Sequence, residues 1–238
     1  MQTKDKISVI IGFGEVGRAL FAALEKVYRC LVIDPPKHII PVSESIESRK
    51  IDILHICFPY FDDFVEQVRG YQERLNPEYT VIHSTVRPGT SRECSAIHSP
   101  VIGMHPHLIK SLLTFTKFLG GEQAQEVADY FRKAGMKVYL FDKPETTEVM
   151  KILDTTFYGL SVEYTKNVWE VCRDFDIPFE AWTLWTDNYN KGYEKLGHPE
   201  FSRPNLVPIM KKLGGHCILP NTELLQTKFT KFLKELGQ

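Results

Sequence analysis

Residues 7–17 read ISVIIGFGEVG, a short apolar run that leads directly into three glycines and then into an amphipathic run over residues 18–26. This pattern predicts a buried β-strand, a tight turn and the start of a helix, which is the context of a dinucleotide-binding turn. The first glycine permits the bend, the second lets the backbone approach a pyrophosphate, and the third lets the helix pack on the strand. We therefore predict that a dinucleotide binds at the helix start, on Gly12, Phe13, Gly14, Glu15, Val16 and Gly17.

A second apolar run, residues 30–33, ends in Asp34, about 20 residues after the turn, where a carboxylate binds the ribose 2′-hydroxyl of NAD. The sequence therefore favours NAD over NADP as the cofactor. Two alternatives stay open. In the first, the turn and Asp34 form an ordinary strand-to-helix connection with no ligand. In the second, the site binds another adenosine cofactor such as S-adenosylmethionine, whose ribose diol would bind Asp34 equally well. The glycine spacing suits a pyrophosphate better.

Further strand-like runs at residues 53–58, 80–82 and 138–141 alternate with helical patterns. This alternation predicts an α/β fold, a Rossmann-like doubly wound parallel sheet with helices on both faces. In such a fold the ligand lies at the carboxyl ends of the strands. We therefore expect the loops after the third and fourth strands to line the cofactor groove, with Phe58, Pro59, Ser84 and Thr85.

The second part of the sequence has helical patterns only, at residues 145–175, 179–196, 205–213 and 222–236. We predict a dinucleotide-binding Rossmann domain over residues 1–144 and a smaller all-helical domain for substrate binding or dimerisation over residues 145–238. A helical domain this small, with a long first helix, often completes its burial by pairing. The sequence therefore predicts a homodimer that forms through the helical domain.

The composition excludes several function classes. The 238 residues carry 29 Lys plus Arg against 30 Asp plus Glu, so no net charge favours nucleic acid or an acidic membrane surface. No apolar stretch reaches membrane-spanning length and no signal-peptide pattern precedes the first strand, which predicts a cytoplasmic protein. The five cysteines have no CxxC spacing, so we expect free thiols and neither a disulfide framework nor a metal site.

Two motifs in the second part carry candidate chemistry. Cys217 follows Gly214-Gly215-His216, and two glycines give the backbone room to approach a ligand, while a nearby cation such as His216 stabilises a nucleophilic thiolate. Lys151 and Thr155 lie one helical turn apart and share a face, so both can contact one substrate. A lysine beside a nicotinamide acts as a base or stabilises a developing alkoxide. The plainer interpretations are a small buried cysteine and a solvated surface lysine.

These motifs together resemble the UDP-glucose/GDP-mannose 6-dehydrogenase family, within the 6-phosphogluconate dehydrogenase-like superfamily. The resemblance covers nearly the whole chain. It implies an NAD-dependent oxidoreductase in which Cys217 attacks an aldehyde intermediate and Lys151 is the catalytic lysine, so that a primary alcohol is oxidised twice with two NAD. The matching segments are Gly12–Gly17, Asp34, Ser84–Thr90, His98–Pro100, Glu148–Lys151 and Gly214–Cys217.

The chain differs from the family pattern at three points. Thr155, with Asp154 before it, stands where the family has asparagine, and Val101 replaces the glutamate of its Ser-Pro-Glu motif. The sequence ends at Gln238, so the expected chain is a truncated one that lacks the family's C-terminal nucleotide-sugar-binding domain. A single hydride transfer on a sugar-derived or small hydroxylated substrate is therefore the favoured function. The alternative is an NAD-binding sensor or structural protein that has lost turnover.

Four further polar residues are candidates for binding the substrate. His105 and His107 lie in the loop over residues 101–107, near the expected nicotinamide end of the cofactor, where an imidazole can bind an anion or transfer a proton. The remaining two, Arg203 and Asn221, flank the cysteine motif.

Overall fold

The protein is described here by a computed structural model that covers residues 6–37, 50–104, 106–210, 213 and 218–237. It divides into two compact units, Met1–Lys151 and Ile152–Gln238. No helix within those described ranges is both long enough and apolar enough to cross a membrane. The predicted domain boundary between residues 144 and 145 stays a prediction.

The first unit contains a seven-stranded sheet in the order β2-β1-β3-β4-β5-β6-β7. All neighbouring strands are parallel except β5 and β6, which form an antiparallel pair through His98 and Gly120. The mostly parallel sheet confirms the predicted Rossmann-like class. Its strands are β1 (Ile7–Ile11), β2 (Arg29–Ile33), β3 (Ile53–Ile56), β4 (Tyr79–Ile82), β5 (Ile97–His98), β6 (Lys117–Gly120) and β7 (Val138–Phe141).

Helices cover the two faces of this sheet because successive strand residues point to opposite sides. Ile10 lies in one apolar core with α1, α4 and α5, and its neighbours Val9 and Ile11 lie in a second core with α2. The central side chains of both cores are fully buried. The helices of this unit are α1 (Glu15–Leu24), α2 (Phe64–Leu75), α3 (Thr90–Glu93), α4 (Leu108–Thr114), α5 (Ala124–Lys133) and the first turns of α6 (Pro144–Asp174).

The strand order reverses direction between β1 and β3. The chain passes from β1 to β2 on one side and returns to β3 on the other side of β1. In open α/β sheets the crevice at such a switch point, beyond the carboxyl ends of the strands, is where ligands bind. The fold therefore places the glycine turn after β1 at the expected ligand edge.

The only regular secondary structure in the described residues of the second unit is helical. It contains most of α6, then α7 (Glu180–Lys195), α8 (Ile218–Thr222) and α9 (Lys228–Leu236). The predicted helix over residues 205–213 is wrong, because residues 205–210 have no regular structure. Pro208 lacks the N–H that a helix interior requires. The last helix is shorter than the predicted one over residues 222–236. It begins at Lys228, because Thr227 caps α9 through a capping box with Thr230.

Candidate functional site

The turn after β1 is built by Gly12. Its φ of 89° lies in the left-handed region, and its N–H donates to the carbonyl of Ile33 at 2.8 Å. A Cβ at this position would lie 2.9 Å from the amide nitrogen of Phe58. Only glycine combines this conformation with so close an approach of two backbone segments.

The other two glycines of the turn have opposite surroundings. A Cβ on Gly17 would lie 2.0 Å from the carbonyl oxygen of Gly12, so the first turn of α1 packs directly on the loop. A Cβ on Gly14, the residue that precedes α1, would have no protein atom within 4 Å. The protein's own packing therefore demands Gly12 and Gly17, whereas Gly14 faces open space at a helix N-terminus, where an anion is stabilised.

Asp34 is fixed at the carboxyl end of β2. Its side chain is buried, and its Oδ2 accepts a hydrogen bond from the backbone N–H of Phe13 at 2.9 Å. Phe13 in turn packs edge-on against Phe21 of α1. The carboxylate is therefore held against the glycine turn itself, at the position that the sequence predicts for a ribose contact.

The loops after β3 and β4 lie against each other. The hydroxyl of Ser84 donates to the carbonyl oxygen of Phe58, and the N–H of Cys57 donates to the carbonyl oxygen of Ile11 at 2.8 Å. These bonds join the loop after β3 to both the strand of the glycine turn and the loop after β4. Pro59 and Thr85 lie in the same two loops.

A buried polar network, which the sequence analysis missed, lies in the core beneath these loops. His55 Nδ1 lies 3.0 Å from His83 Nε2, and His55 Nε2 lies 3.3 Å from the hydroxyl of Tyr130. His83 Nδ1 lies 2.9 Å from the carbonyl oxygen of Ser99, and Lys117 Nζ lies 3.2 Å from the same oxygen. A single histidine or lysine in a strand has no periodic signal, so the sequence pattern did not reveal this network. We define the network as Ser8, His55, His83, Lys117 and Tyr130.

Two directions of proton donation satisfy the histidines of this network. In one, His83 Nδ1–H donates to the Ser99 carbonyl, His55 Nδ1–H donates to His83 Nε2, and Tyr130 donates to His55 Nε2. In the other, Lys117 Nζ donates to His83 Nδ1 at 3.3 Å, His83 Nε2–H donates to His55 Nδ1, and His55 Nε2–H donates to Tyr130. Both imidazoles are then neutral. Burial, followed by the charge of Lys117, lowers the pKa of His55 to about 3 and that of His83 well below its usual value. Burial also lowers the pKa of Lys117 to about 7.

The predicted catalytic residues of α6 lie on two successive turns. Lys151 is half-buried in the second turn of the helix, at the end of the first unit. Asp154 is exposed and Thr155 is buried one turn later, in the second unit. The predicted residues of the cysteine motif, His216 and Cys217, lie outside the described residues, as do Gly214, Gly215 and His105.

The remaining predicted substrate residues are held in local structure. His107 is exposed at the start of α4. In the second unit the guanidinium of Arg203 lies over the ring of Tyr189 at 4.1 Å, and Asn221 is buried in α8. No group of three His, Cys, Asp or Glu side chains in the described parts of the chain is arranged to hold a metal ion. The residues that the fold brings together are thus those of the glycine turn, Asp34, Phe58 and Ser84.

The solved structures that resemble this chain include several dehydrogenases. The chain is 14% identical to UDP-D-ManNAc dehydrogenase from Pyrococcus horikoshii, with a TM-score of 0.77 over 97% of this chain and 68% of that one. UDP-glucose dehydrogenase from Pyrobaculum islandicum is also 14% identical, with a TM-score of 0.72 over 98% and 68% of the two chains. Mycobacterium tuberculosis 3-hydroxyisobutyrate dehydrogenase is 12% identical, with a TM-score of 0.69 over 97% and 91%.

No protein-family model matches the sequence, and no curated protein matches it significantly. At these identities the structural likeness shows a shared fold.

Proposed function

We propose that this chain is an NAD-dependent oxidoreductase that oxidises an alcohol group of a sugar-derived or small hydroxylated substrate. The observation that carries the proposal is the contrast among the three glycines. Gly12 and Gly17 are required by packing, while Gly14 leaves open space at the start of α1. Such space beside a helix N-terminus fits a pyrophosphate, and Asp34 beside the turn fits a ribose hydroxyl. The names of the structurally similar dehydrogenases support the same class.

Within this proposal the residues have separate tasks. The glycine turn and Asp34 hold the cofactor, with Phe58, Pro59, Ser84 and Thr85 lining the groove. NAD, when bound, supplies the hydride acceptor. Lys151 would hydrogen-bond the substrate hydroxyl and take up its proton or stabilise the developing alkoxide.

Other proposed tasks fall on residues beyond the first unit. Asp154 and Thr155 would orient the substrate or a water. Cys217, activated by His216, would serve as nucleophile toward an aldehyde in any second oxidation.

Binding measurements test the cofactor site first. Calorimetric titration of the purified protein with NAD is expected to show one site, and Gly14→Ala is expected to raise the Kd at least about tenfold, because its methyl group enters the space of the pyrophosphate. The control is Gly70→Ala on α2, where a Cβ also meets no atom within 4 Å. Equal NAD affinity in wild type and Gly14→Ala, or absence of NAD binding, would contradict the proposal.

Turnover separates the proposal from its alternatives. NADH formation with a panel of UDP-sugars, sugar phosphates and hydroxy acids is expected for the wild type and is expected to fall at least about a hundredfold in Lys151→Met, in line with loss of a general base. NAD binding without NADH formation from any substrate would instead favour the sensor or structural protein suggested by Val101 and Thr155. Binding of S-adenosylmethionine in place of NAD would favour the third alternative.

We also propose that two copies pair through the helical unit. Phe157, Tyr164 and Val171 are exposed on α6 at intervals of seven residues, so they form an apolar stripe along one face of the helix. On α7, Leu184 and Trp185 are exposed as well. Apolar area of this kind is typical of a subunit interface.

Sedimentation velocity is expected to show a dimer, and Phe157→Glu combined with Tyr164→Glu is expected to give a monomer. Lys133→Glu at an exposed position of α5, in the first unit, serves as the charge control. A wild-type monomer at all concentrations would contradict pairing. The cytoplasmic location expected from the sequence stays a prediction.

A further inference from the structure

The loop that follows β4 contains Ser84 and Thr85 and ends at the short helix α3. Gly89, the residue before α3, has a φ of 95°, and no side chain of the loop caps the helix. The first N–H groups of a helix need partners from outside it. The segment from Ser84 to Ser91 therefore needs partners elsewhere in the fold to hold its conformation.

Glu148 of α6 supplies those partners. Its Oε2 accepts a hydrogen bond from the N–H of Gly89 at 2.6 Å, and its Oε1 accepts one from the N–H of Ser91 at 2.8 Å. The side chain is completely buried. A buried carboxylate is costly unless hydrogen bonds compensate its charge, and here both oxygens are engaged with loop amides. Burial raises the pKa of Glu148, while the bonds from Ser91 and Gly89 act to lower it.

A second link holds the other end of the loop. His98 of β5 has Nε2 3.1 Å from the carbonyl oxygen of Ser84 and Nδ1 2.8 Å from the hydroxyl of Thr147. Since the carbonyl only accepts, Nε2 carries the proton and Nδ1 accepts from the threonine. Thr147 and Glu148 are adjacent on α6, so one helical turn fixes both ends of the loop.

The same helix carries Lys151. It lies three residues after Glu148, so the two residues are neighbours on the helix surface. We propose that Glu148 is a positioning residue that ties the loop from Ser84 to Ser91 to α6, so that the cofactor groove and Lys151 keep a fixed relative arrangement. This inference rests on the proposed function, because the loop is a cofactor loop only if NAD binds. Nothing in the residue pattern of the sequence assigned Glu148 a task.

Hydrogen exchange of the protein without cofactor tests the link directly. In Glu148→Gln one oxygen becomes an NH₂ that faces an N–H, so exchange at Gly89 and Ser91 is expected to accelerate at least about tenfold, while exchange in β1 and α1 stays unchanged. The control is Glu163→Gln, farther along the same helix, whose carboxylate pairs with Lys166 of that helix. It is expected to leave both rates unchanged.

NAD affinity then tests the positioning role. The Kd for NAD is expected to rise about five- to tenfold in Glu148→Gln, to stay at the wild-type value in Glu163→Gln, and to recover partly in Glu148→Asp, which keeps the charge. Wild-type exchange rates in Glu148→Gln, or faster exchange with unchanged NAD affinity, would overturn the inference. If Glu148→Gln does not fold, Glu148→Asp carries the same comparison, and unchanged exchange and affinity in it overturn the inference. Absence of NAD binding by the wild type overturns the proposed function and the cofactor role together, and the exchange data then report only whether the link exists.

Discussion

Acidification from pH 7 to pH 5 is expected to remove about 6 kcal/mol of unfolding free energy. The cause is three buried histidines, His55, His83 and His98, whose pKa values burial lowers, to about 3 for His55 and His98. The unfolded histidines bind protons near pH 6.5, but the folded ones stay neutral until far lower pH. The unfolded state therefore binds more protons in this window, and each histidine removes up to about 1.4 kcal/mol per pH unit, or about 2 kcal/mol over the whole window.

Lys117 extends this dependence to higher pH. Its pKa is lowered to about 7 by burial, so the unfolded state binds the extra proton between about pH 7 and 10.5. The free energy of unfolding is therefore expected to rise from pH 7 to pH 9 by roughly 1.4 kcal/mol per unit, and the contribution is lost as the pH falls to 7.

Urea unfolding followed by circular dichroism from pH 5 to pH 9 measures both effects. Lys117→Met is expected to abolish the rise above pH 7 while keeping the bond between His83 and the Ser99 carbonyl. His198→Gln, at an exposed histidine, serves as the surface comparison. A wild-type profile that is flat from pH 5 to pH 9 would show that the network is not buried in neutral form.

Gly17→Ala is expected to lower the free energy of unfolding by about 3 kcal/mol or more. Its new methyl carbon would lie 2.0 Å from the carbonyl oxygen of Gly12, a backbone atom, so either α1 or the turn must move. The movement would separate Ala19, Leu20 and Ala23 from the core in which they are buried. The change therefore affects packing before it affects any ligand.

The matched comparison for this variant is Gly14→Ala, which is expected to change stability by less than about 1 kcal/mol. Urea denaturation of both proteins at pH 8 gives the two values. Equal stabilities would mean that α1 does not pack on the turn as described. Together the two alanine variants separate the glycine that serves the fold from the glycine proposed to serve the cofactor.

The sequence predicted the parts of the fold in which composition and periodicity agree. The apolar run of β1, the glycines that follow it and the long helix α6 all have strong local patterns, and all are present. The strands β5 and β6 were missed because β5 has two residues and β6 begins with Lys117, a residue type that is mostly found at the surface.

The candidate site was predictable only in its backbone part. Glycine spacing identified the turn, and Asp34 was located by its distance from it along the sequence. Glu148 and His98 act through contacts with residues 14 to 59 positions away, and no pattern in one sequence encodes such pairings. The functional roles of Lys151 and Cys217 stay predictions that depend on the resemblance.

The sheet is joined between β5 and β6 by side chains as well as by its main chain. Only His98 and Gly120 pair between β5 and β6, whereas Lys117 and Ser99 add side-chain bonds to the carbonyls of Ser99 and Phe118 across the same gap. The attachment of β6 to the rest of the sheet therefore depends on two side chains, those of Lys117 and Ser99, as well as on one backbone pair.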